Sequence, residues 1–194
     1  MTQVPPSQRP APVVGVIPFG GASLTAAKVI AAHVSGYLDL EAEVLPPAQT
    51  PPAALDEKRL QYNAAALIQA IEAMALNDYF KILALFDVDL FIPLFTHVFG
   101  EARQNGRVAL VSLFRLQTNP GGSSPSTERV LERIAKIGLH ELGHLLDGLH
   151  CDDDRCLMHF CGDVETLDRT DLNFCRYCRL ALHRKIGRPA GYDG

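Results

Sequence analysis

The feature that most constrains this 194-residue chain is the run His140-Glu141-Leu142-Gly143-His144, followed six residues later by His150. Four helical residues turn through about 400°, so the imidazoles of His140 and His144 share one face, about 6 Å apart along the axis. Two imidazoles so placed can grip one zinc ion at about 2.0–2.1 Å. Glu141 projects from the neighbouring face, where a carboxylate can take a proton from zinc-bound water. A continuing helix would carry His150 about 240° round and about 9 Å along, out of reach of the same metal. The chain must therefore break and fold back, and Asp147-Gly148 provides the break. Three imidazoles with a fourth position open describe a catalytic zinc site.

Composition removes other classes. Eighteen Lys and Arg against 22 Asp and Glu give a net charge of −4, which argues against a phosphate-binding surface over the whole protein. At 47% hydrophobic and 21% charged, the chain is ordinary globular material for one domain or two tightly joined parts. No apolar run is long enough for a membrane helix, and the opening MTQVPPSQRPAPVV does not read as a secretory signal. A cytoplasmic protein is expected, a monomer without nucleic-acid or membrane partners. All five cysteines lie between Cys151 and Cys178. A secreted disulfide scaffold would spread its bridges through the chain, whereas clustered thiols in a reducing compartment more often hold metal.

Residues 1–12 are rich in proline and read as a flexible tail. Strands are expected at Val13 to Phe19, Glu41 to Leu45, Tyr79 to Phe86 and Arg107 to Phe114, the last preceded by an Asn105-Gly106 turn. Helices are expected at Leu24 to Val34, along Asp56 to Leu76, from Ser124-Pro125 to about Asp147, and from Arg176 to Lys185. Strands alternating with helices suggest an α/β layer with a mostly parallel sheet. Arg107 to Phe114 is the expected exposed edge, able to pair with an extended substrate.

The pattern H-E-x-x-H with a further His six residues on resembles the metzincin signature, in which a glycine stands where this chain has Asp147. The turn is expected one residue later, at Gly148, or with Asp147 itself in the left-handed region. Cys151 beside the third histidine, Cys156-Leu157-Met158-His159-Phe160 and Cys175-Arg176-Tyr177-Cys178 are similar to the archaemetzincins. Upstream stretches such as Arg59-Leu60-Gln61-Tyr62 and Val98-Phe99-Gly100-Glu101-Ala102 agree, so the resemblance runs from about Val13 to Cys178.

That resemblance implies a zinc metallopeptidase with a metzincin-like α/β (α+β) fold and a twisted mixed sheet. Residues 13–147 would form an N-terminal part ending in the active-site helix, and 148–194 a small, irregular, zinc-stapled C-terminal part. It implies two zinc ions: a catalytic one held by His140, His144 and His150, with Glu141 as general base, and a structural one held by Cys151, Cys156, Cys175 and Cys178. Met158 would be the Met-turn residue beneath the site. The substrate would be a peptide or protein. C-x4-C and C-x2-C pairs fit a tetrahedral thiolate site; a disulfide or a redox C-x-x-C are the alternatives. A zinc-stabilised binding or scaffold protein with little peptidase activity is the alternative function. Cys161 is left over as a buried or free thiol, and His159 can orient a neighbour. Phe160 stands where some metzincins have a tyrosine and has no hydroxyl to offer an oxyanion. Asp87, Asp89 and the loop Asp152 to Asp154 are expected to be structural or solvated. His33, His97 and His183 have no spacing partner.

Overall fold

In a computed structural model, residues 12–187 are described; the expected tail lies outside them except for Pro12. Apolar runs form three strands of the main sheet, β1 (Val13–Phe19), β5 (Lys81–Phe86) and β9 (Val108–Ser112), while β2 (Glu41–Val44) alternates glutamate with Ala42 and Val44. These four are parallel, in the order β2-β1-β5-β9, and β8 (Gly100–Ala102) is added antiparallel to β9. Both faces are covered, which is why the central strands do not alternate apolar with polar. Val14, Val16, Leu83 and Leu85 face one core with helices α1 (Leu24–Leu38) and α3 (Thr127–Leu145). Ile17, Phe19, Ile82 and Phe86 face another with α2 (Ala64–Glu72).

Three expectations are corrected. The helix over Asp56 to Leu76 is only α2. The Asp56 carboxylate accepts the amides of Lys58 and Arg59, and Leu60 has a positive φ of 53°, so this segment turns. It enters a second sheet built, in this order, from β3 (Leu55–Asp56), β4 (Gln61–Asn63), β6 (Leu90–Ile92) and β7 (Phe95–Val98). Strand β9 is not an edge: β5 and β8 bond to its two sides, and β8 is the edge strand. Helix α3 is capped by Ser126, whose hydroxyl accepts from Arg129 N, rather than by Ser124.

Helix α3 is the spine of the protein. Its Arg133 is fully buried and makes two hydrogen bonds to the carboxylate of Asp168, at 2.8 and 2.7 Å. The same guanidinium donates to Leu116 O and Asn119 Oδ1. One side chain thus ties α4 (Val164–Arg169) and the loop after β9 to the helix that carries the histidines. Helix α5 (Arg176–Lys185) closes the same core through Leu182. Among the described residues no helix is long and apolar enough to cross a membrane.

Candidate active site

Helix α3 places His140 and His144 one turn apart, and its C-terminus then reverses the chain. The amide of Gly148 donates to Gly143 O at 2.8 Å and that of Asp147 to His144 O at 3.0 Å. These are the two hydrogen bonds of a Schellman ending, and Asp147 occupies its left-handed position with φ 68°. The second of the two expected turns is therefore the one formed. Left-handed backbone is disfavoured for a residue with a Cβ. Here it is offset by Gln104 and Lys185, which both donate to the Asp147 carboxylate. Lys185 holds that carboxyl below its usual range.

The reversal returns His150 to the helix face. Nε2 of His144 lies 3.1 Å from Nε2 of His140 and 3.2 Å from Nε2 of His150. Nitrogens sharing one tetrahedral zinc at 2.0–2.1 Å would be about 3.3 Å apart, so the three fit a single ion. Their tautomers fit as well. Nδ1 of His140 donates to Leu157 O at 2.8 Å and Nδ1 of His144 to Gly148 O at 2.9 Å, leaving each Nε2 lone pair facing inward. Burial, with help from His144, pushes His140 down to about 3; burial also lowers His144 and His150. Neutral imidazoles are the form that binds metal.

Glu141 lies against β8. A Cβ on Gly100 would come within 2.5 Å of its Oε1, so only glycine leaves room for the carboxylate. Glu141 is buried and makes no hydrogen bond among the described residues. Burial first, and Glu101 second, push its carboxyl well above the ordinary range. Gly143 plays a similar part on the other side, since a Cβ there would sit 2.5 Å from Sδ of Met158. Met158 is fully buried beneath α3, and its carbonyl accepts the amide of Cys151 at 2.9 Å. Sequence reasoning singles out neither Gly100 nor Gly143. A glycine inside a helix costs roughly 1 kcal/mol relative to alanine, and that is the signal that marks Gly143.

Cys151, Cys156, Cys175 and Cys178 converge, with all four sulfurs within 4.8 Å of one another. Sγ of Cys151 and Sγ of Cys175 are 3.8 Å apart, close to the spacing of about 3.8 Å for thiolates sharing tetrahedral zinc at 2.3 Å. The sulfur of Cys156 accepts the amides of Met158 and Cys175, as a thiolate would. Burial pushes the Cys156 thiol up to about 11, so its deprotonation calls for a cation nearby. Cys161 stays outside the cluster and donates to His159 O, with burial pushing it up to about 11. His159 Nδ1 donates to Cys151 O at 3.0 Å, orienting the segment between the two clusters. Asp89 is buried against Arg115 and Gln61, and Asp87 accepts Gly21 N, both structural positions.

The histidines open into a cavity of about 410 Å³ between β7 and β8 on one side and the segment from Leu157 to Gly162 on the other. Glu141, Ile137 and Phe160 also line it.

Comparison with known proteins identifies the family. Residues 33–184 match peptidase family M54. The archaemetzincin of Methanopyrus kandleri is 38% identical over 156 residues, covering 80% of this chain and 85% of that protein. That of Halobacterium salinarum is 36% identical over 172 residues, covering 87% and 98%. The crystal structure of the Methanopyrus kandleri archaemetzincin superposes with a TM-score of 0.80 at 34% identity, covering 92% of this chain and 97% of that one. A zinc-dependent peptidase from Methanocorpusculum labreanum gives 0.78 at 28% identity, covering 87% and 99%. The chain belongs to peptidase family M54, the archaemetzincin family of zinc metallopeptidases.

Proposed function

We propose that the protein hydrolyses peptide bonds with Glu141 as general base, His140, His144 and His150 as the ligands of a catalytic zinc, and Met158 as the residue supporting them. The observation that carries this reading is the convergence of three inward-facing Nε2 atoms, 3.1–3.2 Å apart along the chain of contacts, beside a carboxylate in an open cleft. Zinc held by three imidazoles lowers the pKa of water and polarises a carbonyl. Glu141 then takes a proton from the attacking water and delivers it to the leaving amine. A cation on the histidines would also draw the raised Glu141 carboxyl back toward its charged, basic form. Gly100 keeps the space that this carboxylate needs. The free edge of β8 suits an extended peptide, which would add as a further strand.

We assign a second, structural zinc to the four cysteines, so that residues 13–147 end in the active-site helix and 148 onward forms a zinc-stapled part. Clustered thiols fit a reducing cytoplasm, which we propose as its location. Digestion of a peptide library by zinc-loaded protein, with and without chelator, tests the function. Cleavage that chelator abolishes and zinc restores is expected; cleavage indifferent to metal would contradict it.

A further inference from the structure

Two exposed aromatic side chains meet across the mouth of the cleft. Phe95, 46% exposed, stands at the start of β7 in the hairpin from the small sheet. Phe160, 47% exposed, stands two residues after Met158 on the opposite wall. Their ring centroids are 5.8 Å apart, tilted by 35°. Phe160 also meets His150 in an edge-to-face contact, centroids 5.3 Å apart and planes at 71°. A continuous aromatic bridge thus runs from a candidate zinc ligand to the far wall.

We propose that Phe95 and Phe160 form a specificity clamp that selects a bulky apolar or aromatic residue flanking the scissile bond. This rests on the peptidase reading above and names its substrate class. Two rings with a flat side chain between them need centroids about 7 Å apart, given carbon contacts at 3.5–4.0 Å. At 5.8 Å the rings touch each other, so an entering side chain must part them. Parting breaks an aromatic contact and exposes both faces to water. A phenylalanine, tyrosine or leucine restores contact with both faces, whereas alanine or aspartate restores little. The cavity behind the pair reinforces the choice, since Ile92, Val98, Ile137, Leu157 and Leu167 line it. The ammonium of Lys136, also along it, is engaged by Glu132 at 2.7 Å and by Leu167 O.

The test uses blocked peptides that differ only in carrying Phe, Leu, Ala or Asp beside a cleaved bond. For the native protein, kcat/KM for the Phe and Leu peptides should exceed that for Ala and Asp by tenfold or more. Phe95→Ala and Phe160→Ala should each collapse that ratio toward one, and Phe95→Leu should keep most of it. Zinc content and circular dichroism check that the variants are folded. Absence of the preference, or a preference untouched by Phe95→Ala, would overturn the clamp. Calorimetric binding of the same peptides to zinc-loaded Glu141→Gln separates the two readings. Tighter binding of the Phe peptide that depends on Phe95, with no cleavage by the native protein, would uphold the clamp and contradict the peptidase. Equal binding of all four would overturn the clamp whatever is cleaved.

Discussion

Nδ1 of His144 donates to the carbonyl oxygen of Gly148 at 2.9 Å, so the turn that redirects the chain also fixes the imidazole next to it. Backbone reversal and histidine orientation are one structural event. It hangs on Asp147, whose left-handed φ ends α3 and whose carboxylate is tied to Gln104 and to Lys185 of the terminal helix.

Asp147→Ala should destabilise the protein by about 1–2 kcal/mol, since it keeps the left-handed cost and loses both side-chain contacts. Asp147→Gly removes the cost along with the contacts and should stay within about 1 kcal/mol of native. Chemical denaturation of the two variants reads the difference. Equal losses would mean that backbone conformation is not what Asp147 has to bear.

Gly143→Ala drives a methyl toward Sδ and Cε of the buried Met158, which must shift, and should cost about 1–3 kcal/mol. Gly100→Ala meets the Glu141 carboxylate instead. It should lower kcat by roughly 10-fold or more while zinc stays bound, because the base moves and the histidines do not. Zinc analysis beside peptide hydrolysis distinguishes that outcome from unfolding.

Much of the site and the main sheet is legible in the amino-acid sequence. Helical spacing pairs His140 with His144, the Asp147-Gly148 break is what lets His150 return to them, and the thiol cluster follows from resemblance. Extended apolar runs locate β1, β5 and β9. What the sequence conceals is tertiary. The apolar spacing from Leu60 through Ile71 continues a helical pattern, yet Leu60 is exposed beyond a turn that Asp56 closes with its own side chain. The expectation of an edge at Arg107 to Phe114 fails because β9 is buried throughout, as a strand paired on both sides is. The true edge, β8, is three residues long and carries glycine, too short for any periodicity. Helix α4, six residues long, is hidden for the same reason, its one local signal being the Asp163 cap.

Removing one thiolate should show the structural role of the second site. Cys175→Ser is expected to lower bound zinc from two ions per chain to one and to cost about 4 kcal/mol or more. Elemental analysis with thermal unfolding checks both. Unchanged stability in a chain that has lost one zinc would contradict the structural assignment.

Acid stability should depend on Asp168. Arg133 holds its carboxyl below the usual carboxylate range, so the folded state keeps the charge to lower pH than the unfolded chain does. Its contribution is complete above the unfolded value of about 4 and is lost as pH falls through the depressed folded value. Asp168→Asn leaves the buried guanidinium its bonds to Leu116 O and Asn119 Oδ1 but takes away the carboxylate's counter-charge, and should cost about 3–5 kcal/mol at pH 7, less below pH 4. A cost that does not shrink with acid would contradict the ion pair as its source.

The central claim is that Glu141 moves the proton while the histidines hold the metal. Hydrolysis of a peptide library by native protein and by Glu141→Ala, each with its zinc measured, tests it most directly. The variant is expected to retain the native zinc content and to lose hydrolysis by about 10²-fold or more at every bond the native protein cleaves. Cleavage of those same bonds by Glu141→Ala at a comparable rate would contradict it.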